Sequence, residues 1–371
     1  MDWADRPLAA AVLASLTTGG LVGETATRLF RAGLVTPEAL DLTGKAARSL
    51  ANPPQMVLDT PLIPSLMAHS LGGMDPARLW GLLCGFAAAL LVLGFLVVLA
   101  DAPLGPGTKT AASLLAFVHP AVILLVTTSP SGTLGLLFLA MSLHCLHHYG
   151  KTDKSLYLFL GALTLGVAPF CHPLGAWLAL GLALGLWGAF EGDRHKTLAL
   201  YTVIFTPLGL FAFGVGFLRR LFGAGGGVFP PAPQLLTLCA EVLPPTVGIL
   251  AAGTVFLWGT EGRASRFWAV CVVVWVGLWF LVPGGCSLDR MLLGALGVAL
   301  FLLPAFHWTG HGKGGSALIL GVLLLSVLWG WHDAVRVSPT ARRWLDVTRE
   351  AVLGEPGTVS SAPADLTRGG S

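Results

Sequence analysis

The sequence predicts an all-α polytopic membrane protein with about eleven transmembrane helices and a long first outer loop that carries two short amphipathic helices. Three observations lead there. Of the 371 residues, 54% are hydrophobic and 11% charged, and mean hydropathy is +0.77, whereas a soluble domain carries about 25% charged residues. Runs of roughly 17–25 apolar residues follow one another along the chain, each long enough as a helix to cross about 30 Å of hydrocarbon. These runs, LLCGFAAALLVLGFLVVLA among them, lack the polar alternation of barrel strands, and backbone in hydrocarbon must satisfy its own hydrogen bonds, so helices remain.

The first element is a span over residues 7–23. Its head carries two aspartates against one arginine in MDWADRP, a poor match to a signal peptide, and the stretch is read as retained. The outer loop over 24–76 is the one long polar interval between apolar segments. Within it Thr36 and Pro37 form a cap followed by a first helical residue, so PEALDLTGKAARSLA reads as an amphipathic helix that Asn52-Pro53-Pro54 stops. A second short helix at about 61–71 ends at Gly72-Gly73. Both are expected to lie flat at the membrane surface.

Spans follow at about 77–100, 109–128, 132–148, 155–171, 173–190, 197–218, 242–259, 266–282, 290–307 and 316–331. The pairs 109–148 and 155–190 are tight hairpins, and the Gly- and Pro-rich stretch GAGGGVFPPAP at 223–233 interrupts any helix there. Residues 1–335 make the transmembrane domain. The tail over 336–371 offers one capped amphipathic helix, TARRWLDVTREAVL, and from Gly354 onward is too polar to fold alone.

Short connections holding Lys109, Lys151, Lys154, Arg194, Lys196, Arg263, Arg266 and Lys313 mark one side as cytoplasmic. The N-terminus is then inside, and the first loop, the Ser129-Pro130-Ser131 turn and the Cys171-His172-Pro173 turn are outside. A bacterial inner membrane is the expected location. Four tail arginines, Arg336, Arg342, Arg343 and Arg349, run against an outer tail.

Net charge is only +3, and no basic stretch interleaved with aromatics points to nucleic acid. Phosphate-bearing lipid is the expected anionic partner. The six cysteines are scattered without CxxC pairs and read as small apolar helix residues. His144, His147 and His148 share a helical face at ligand-like spacing for Zn or Cu, but no partnering carboxylate accompanies them, so no metal site is assigned.

Candidate chemistry gathers on the outer side: Glu24, Arg28 and Arg31 at the exit of the first span, Asp59 and His69 in the surface helices, His172 between spans, Arg219 and Arg220, and Asp289-Arg290. Arginine grips phosphate through a bidentate fork and a carboxylate can serve as general base. The competing account makes these groups interfacial anchors that reach into headgroups, with Glu24 paired to Arg28 one turn on.

Several stretches resemble the C-type membrane glycosyltransferases. PPQMVLDTPLIPSLMAHSLGG resembles that family's second surface helix, HPAVILLVTTSPSGTLGLLFLAMSLHCLHHYG its third-to-fourth hairpin, LGALTLGVAPFCHPLGAWLALGLALG its fifth-to-sixth hairpin, and SLDRMLLGALGVALFLLPA its late segment of arginine, apolar span and proline. The resemblance covers about residues 5–310. It implies transfer of a sugar from a polyprenyl-phosphate donor at the outer face, with Glu24 as catalytic base, Arg290, His172, Arg219 and Arg220 on the lipid phosphate, and Asp59, Arg28 and His69 near substrate. It requires no cofactor and admits a divalent cation. The chain departs from the family at two points: Gly23-Glu24 replaces an acidic pair, and Ser129-Pro130-Ser131 stands where a further acid is common. Two expectations follow, an active lipid-phosphate-sugar transferase or a non-catalytic accessory subunit of the same fold in a larger membrane complex.

Overall fold

The computed structural model describes residues 6–49, 62–100, 102, 104–172, 174–189, 201, 205, 209, 213, 244–258, 262–281, 287–307, 313–337, 342 and 344–349. Among them no strand occurs. The helices are α1 (Arg6–Arg31), α2 (Pro37–Ser49), α3 (Leu62–Ser70), α4 (Pro76–Ala100), α5 (Pro106–Val118), α6 (Pro120–Thr128), α7 (Pro130–Thr152), α8 (Ser155–Cys171), α9 (Leu174–Ala189), α10 (Pro244–Trp258), α11 (Gly262–Leu281), α12 (Ser287–His307) and α13 (Lys313–Val337).

Two helical segments among the described residues, Pro76–Ala100 and Gly315–Arg336, are long and apolar enough to cross a membrane. A third span results if α5 and α6, which meet at 60°, count as one. That corrects the expectation of about eleven. Four further apolar stretches, Ser155–Cys171, Thr246–Val255, Phe267–Trp279 and Met291–Ala305, are shorter; at 1.5 Å per residue, even the 17 residues of α8 cover about 26 Å against a core of about 30 Å. The expected span at 197–218 falls outside the described residues, apart from four isolated positions.

Two boundaries differ for local reasons. The straight helix expected over 109–128 breaks at His119, which is extended at φ −58° and ψ 129°. The residue before a proline is pushed out of the helical region, and Pro120 supplies that push. The first helix does not stop at residue 23. It runs on through Glu24 and Arg28 to Arg31, where Gly33, at φ +78°, ends it: the Leu34 N–H donates to the Leu29 carbonyl and the Gly33 N–H to that of Phe30, each at 3.0 Å. This pair of bonds is a Schellman motif.

α1 lies along α4, α4 on α7, and α7 on α8, while α9 packs on α11 and α10 packs on α12 and α13. The main core is apolar and aromatic, with Trp268, Trp275, Phe301 and Leu125 fully buried. Trp275 shows how one helix admits another. Gly297 leaves room for its ring, since a Cβ there would lie 2.3 Å from an indole carbon, and the indole N–H donates to the Leu293 carbonyl at 2.7 Å.

Outward-facing Leu82, Phe86 and Val97 on α4, Leu156, Phe159 and Leu163 on α8, and Leu324, Leu325 and Leu328 on α13 belong to the exposed apolar surface. Cys84, Cys145, Cys171 and Cys271 are buried free thiols, in keeping with their reading as small apolar residues. Past α13 the chain returns to the bundle: Trp344 is buried and packs beside Trp331, with ring centroids 5.8 Å apart.

Candidate functional site: one end of the helical bundle

Thr36 opens α2 as the sequence predicts, its hydroxyl accepting from the Ala39 N–H at 3.1 Å. The same hydroxyl donates to the Thr128 carbonyl at 3.3 Å, which ties the surface helix to the end of α6. Two residues on, Glu38 reaches the start of α7. Its carboxylate accepts from the Ser129 hydroxyl and, at 2.9 Å, from the Ser131 backbone N–H. A carboxylate at a helix N-terminus satisfies an orphan donor and faces the positive end of the helix dipole.

Although part of the Glu38 residue remains accessible, burial of its carboxyl pushes its pKa up from the ordinary range, against the opposing pull of the Ser129 and Ser131 hydrogen bonds. Glu38 was not among the expected site residues. The carboxylate that meets the Ser129-Pro130-Ser131 turn comes from a helix more than ninety residues earlier, and no local sequence signal marks that contact.

Among the described residues, Glu24 and His172 do not line one groove. Glu24 lies on an exposed face of α1 and holds Arg28 at 2.8 Å, a one-turn pair with both side chains at least half exposed. His172 is 7% exposed and sits between α8 and α9, where its Nδ1 accepts from the Leu174 N–H at 3.3 Å. It faces Gly135 of α7, where a Cβ would lie 3.0 Å from the His172 Cβ. Burial pushes the His172 imidazole down to about 4. His69 is half-buried in the last turn of α3. Arg290 stands in the first turn of α12, its side chain outside the described residues, as are Asp59, Arg219 and Arg220.

The groove that Glu24 lines runs between α1 and α4 and is shared with Arg31 and Arg78, not with His172. The expected meeting of Glu24 with His172 is therefore not found in this groove. The cause is the continuation of α1: helical periodicity turns Glu24 toward α4 and the outside, whereas His172 belongs to a turn buried against α7.

His172 stands at one of several junctions among the described residues where a polar cap precedes a proline, Thr36-Pro37 and Asp75-Pro76 included. His119 precedes Pro120 and its Nδ1 accepts from the Ala121 N–H at 3.2 Å; Ser129 precedes Pro130 and its hydroxyl accepts from the Gly132 N–H at 3.0 Å; His172 precedes Pro173 in sequence and its Nδ1 accepts from the Leu174 N–H. A proline at the first helical position lacks the N–H that would go unpaired, and a polar cap satisfies a following one.

His147 accepts from the Trp268 indole N–H at 3.1 Å, and His148 stacks on Tyr157 with centroids 5.1 Å apart. Among the described residues no group of three or more His, Cys, Asp or Glu is placed to hold a metal ion. No protein-family model, no curated protein and no solved structure matches this chain.

Proposed function

We propose that the chain is an integral membrane protein with a glycosyltransferase-like layout that serves as a non-catalytic, lipid-associated subunit of a larger membrane assembly. One observation carries this reading: the Nδ1 of His172 is taken up as a helix cap inside the bundle, away from the groove that Glu24 lines. A transferase would need Glu24 as a base beside a phosphate held by His172 and Arg290. Instead the Glu24 carboxylate is engaged by Arg28, and the buried imidazole is neutral at pH 7, with no positive charge to offer a phosphate.

Exposed leucines and phenylalanines on α4, α8 and α13 are the surface that lipid or neighbouring subunits would cover. In this reading the membrane is a bacterial inner membrane, the N-terminus is cytoplasmic and the Ser129 end of the bundle is outside. The shorter apolar helices complete the crossing together with the long ones.

The test is purification of the full chain in mild detergent, with co-eluting proteins and lipids identified, alongside Glu24→Gln. A stoichiometric protein partner whose recovery is the same for wild type and Glu24→Gln is expected. Transfer of sugar from a polyprenyl-phosphate donor by the wild type, lost in Glu24→Gln while assembly persists, would overturn the reading.

A further inference from the structure

α1 and α4 meet on glycine. A Cβ placed on Gly19 would lie 2.6 Å from the Gly85 carbonyl oxygen, and one on Gly23 would lie 2.8 Å from that of Gly81. The two backbones therefore touch. Gly20 is different, because a Cβ there meets nothing within 4 Å. It opens onto the groove beside the contact, which encloses about 610 Å³, within the range of about 300–1,000 Å³ typical of single small-molecule sites.

The groove changes character along its length. Leu16, Gly20, Leu82 and Phe86 line its apolar part, and Glu24, Arg31 and Arg78 line its other end. From Leu16 to Arg31 the helix rises about 22 Å, so the wall passes from bare hydrocarbon to arginine over the length of an acyl chain. Three arginines, Arg28, Arg31 and Arg78, meet two carboxylates at the charged end, Glu24 and Asp75. Glu24 holds Arg28. Asp75 stands 3.6 Å from Arg31 and also accepts the Arg78 backbone N–H at 3.2 Å. The Arg78 guanidinium has no protein partner among the described residues.

We infer that the groove between α1 and α4 binds an acyl chain of an anionic phospholipid, with Arg78 and Arg31 holding the phosphate. The inference rests on the membrane reading above and adds to it a ligand class and a place. The Arg78 guanidinium, without a partner among the described residues, stands in the first turn of α4 at headgroup depth when the apolar length of α4 is in hydrocarbon, and its planar fork matches phosphate oxygens. Charge also favours lipid over a helix from another chain: a helix seated here would bury Arg78 without a counter-ion, at a desolvation cost that a phosphate would offset.

The experiment uses the full-length protein in detergent, equilibrated with equal amounts of phosphatidylglycerol and phosphatidylcholine, with retained lipid read by native mass spectrometry. Wild type should retain one phosphatidylglycerol in preference to phosphatidylcholine. Gly20→Leu fills the groove without touching the α1–α4 contact and should lower retention about tenfold or more. Arg78→Gln, at an exposed position, gives an independent readout. It should leave lipid bound but reduce the preference for phosphatidylglycerol about fivefold.

Equal retention by wild type and Gly20→Leu, or no headgroup preference in wild type, overturns the inference. A wild-type dimer that Gly20→Leu converts to monomer also overturns it, by making a second copy of the chain the occupant. Alkaline carbonate treatment of membranes reads the membrane assignment separately. Release of the chain there sinks that assignment, whereas retention without groove lipid sinks only this proposal.

Discussion

The Trp344 indole N–H donates to the Thr127 hydroxyl at 2.9 Å, so the segment after α13 is fastened to the C-terminal end of α6. The Thr127 hydroxyl in turn donates to the Ile123 carbonyl at 2.8 Å. That places the start of the tail at the same end of the bundle as Ser129, Glu38 and the surface helix α2. Trp344→Phe keeps most of the ring and should cost about 1 kcal/mol for the lost hydrogen bond. Trp344→Ala, which also leaves a cavity, should cost about 3–5 kcal/mol. Thermal unfolding of the detergent-solubilised chain distinguishes the two.

Glu38 predicts a pH dependence with a definite sign. Its folded carboxyl keeps a proton above the ordinary value of 4.5 because burial opposes its ionisation. The folded state therefore binds more protons than the unfolded state above that value, and stability falls as pH rises from about 4.5 through the folded value. Glu38→Gln keeps an acceptor for the Ser131 N–H without a buried charge, so its melting temperature should vary less over that window. Glu38→Ala leaves the N–H unpaired and should cost about 1–3 kcal/mol at any pH.

His172 runs the other way. Unfolded, it protonates near 6.5, but folded it resists until about 4, so the unfolded state holds more protons between those values and stability drops as pH falls through them. His172→Asn, a good cap, should fold and lose that dependence. His172→Ala should cost about 1 kcal/mol for the lost cap. Melting curves at pH 7, 6 and 5 provide the check.

The glycines of α1 and α4 should respond according to what surrounds them. Gly85→Val drives a branched side chain toward the Gly19 carbonyl, whose oxygen would lie 2.5 Å from the new Cβ, and should destabilise by at least about 1–3 kcal/mol. Gly20→Ala meets open space and should be neutral or slightly stabilising, since alanine is the better helix former. Relative yield of monodisperse protein after solubilisation reads the difference.

The helices were legible because the chain punctuates them: Thr36-Pro37, Gly72-Gly73, Ser129-Pro130 and His172-Pro173 all stand at observed ends. The break at His119-Pro120 follows the same cap-and-proline pattern, but the length and mainly apolar character of 109–128 point instead to one straight span. The reach of Glu38 to Ser129 could not be read, because nothing local records a contact between residues that far apart. Nor could hydropathy separate a histidine that caps a helix from one that faces a substrate. At His172 the difference lies in which backbone N–H its ring meets, a property of the folded turn.

The glycine contact between α1 and α4 also bears on how the protein is made. α1 leaves the ribosome before α4, and where they cross, glycine carbonyls stand against glycines with only the small side chains of Thr27 and Ala89 beside them. Pairing there needs little rotamer ordering and no later segment, so the two can dock as a preassembled hairpin. Every helix synthesised afterwards then arrives at a template whose register is already decided.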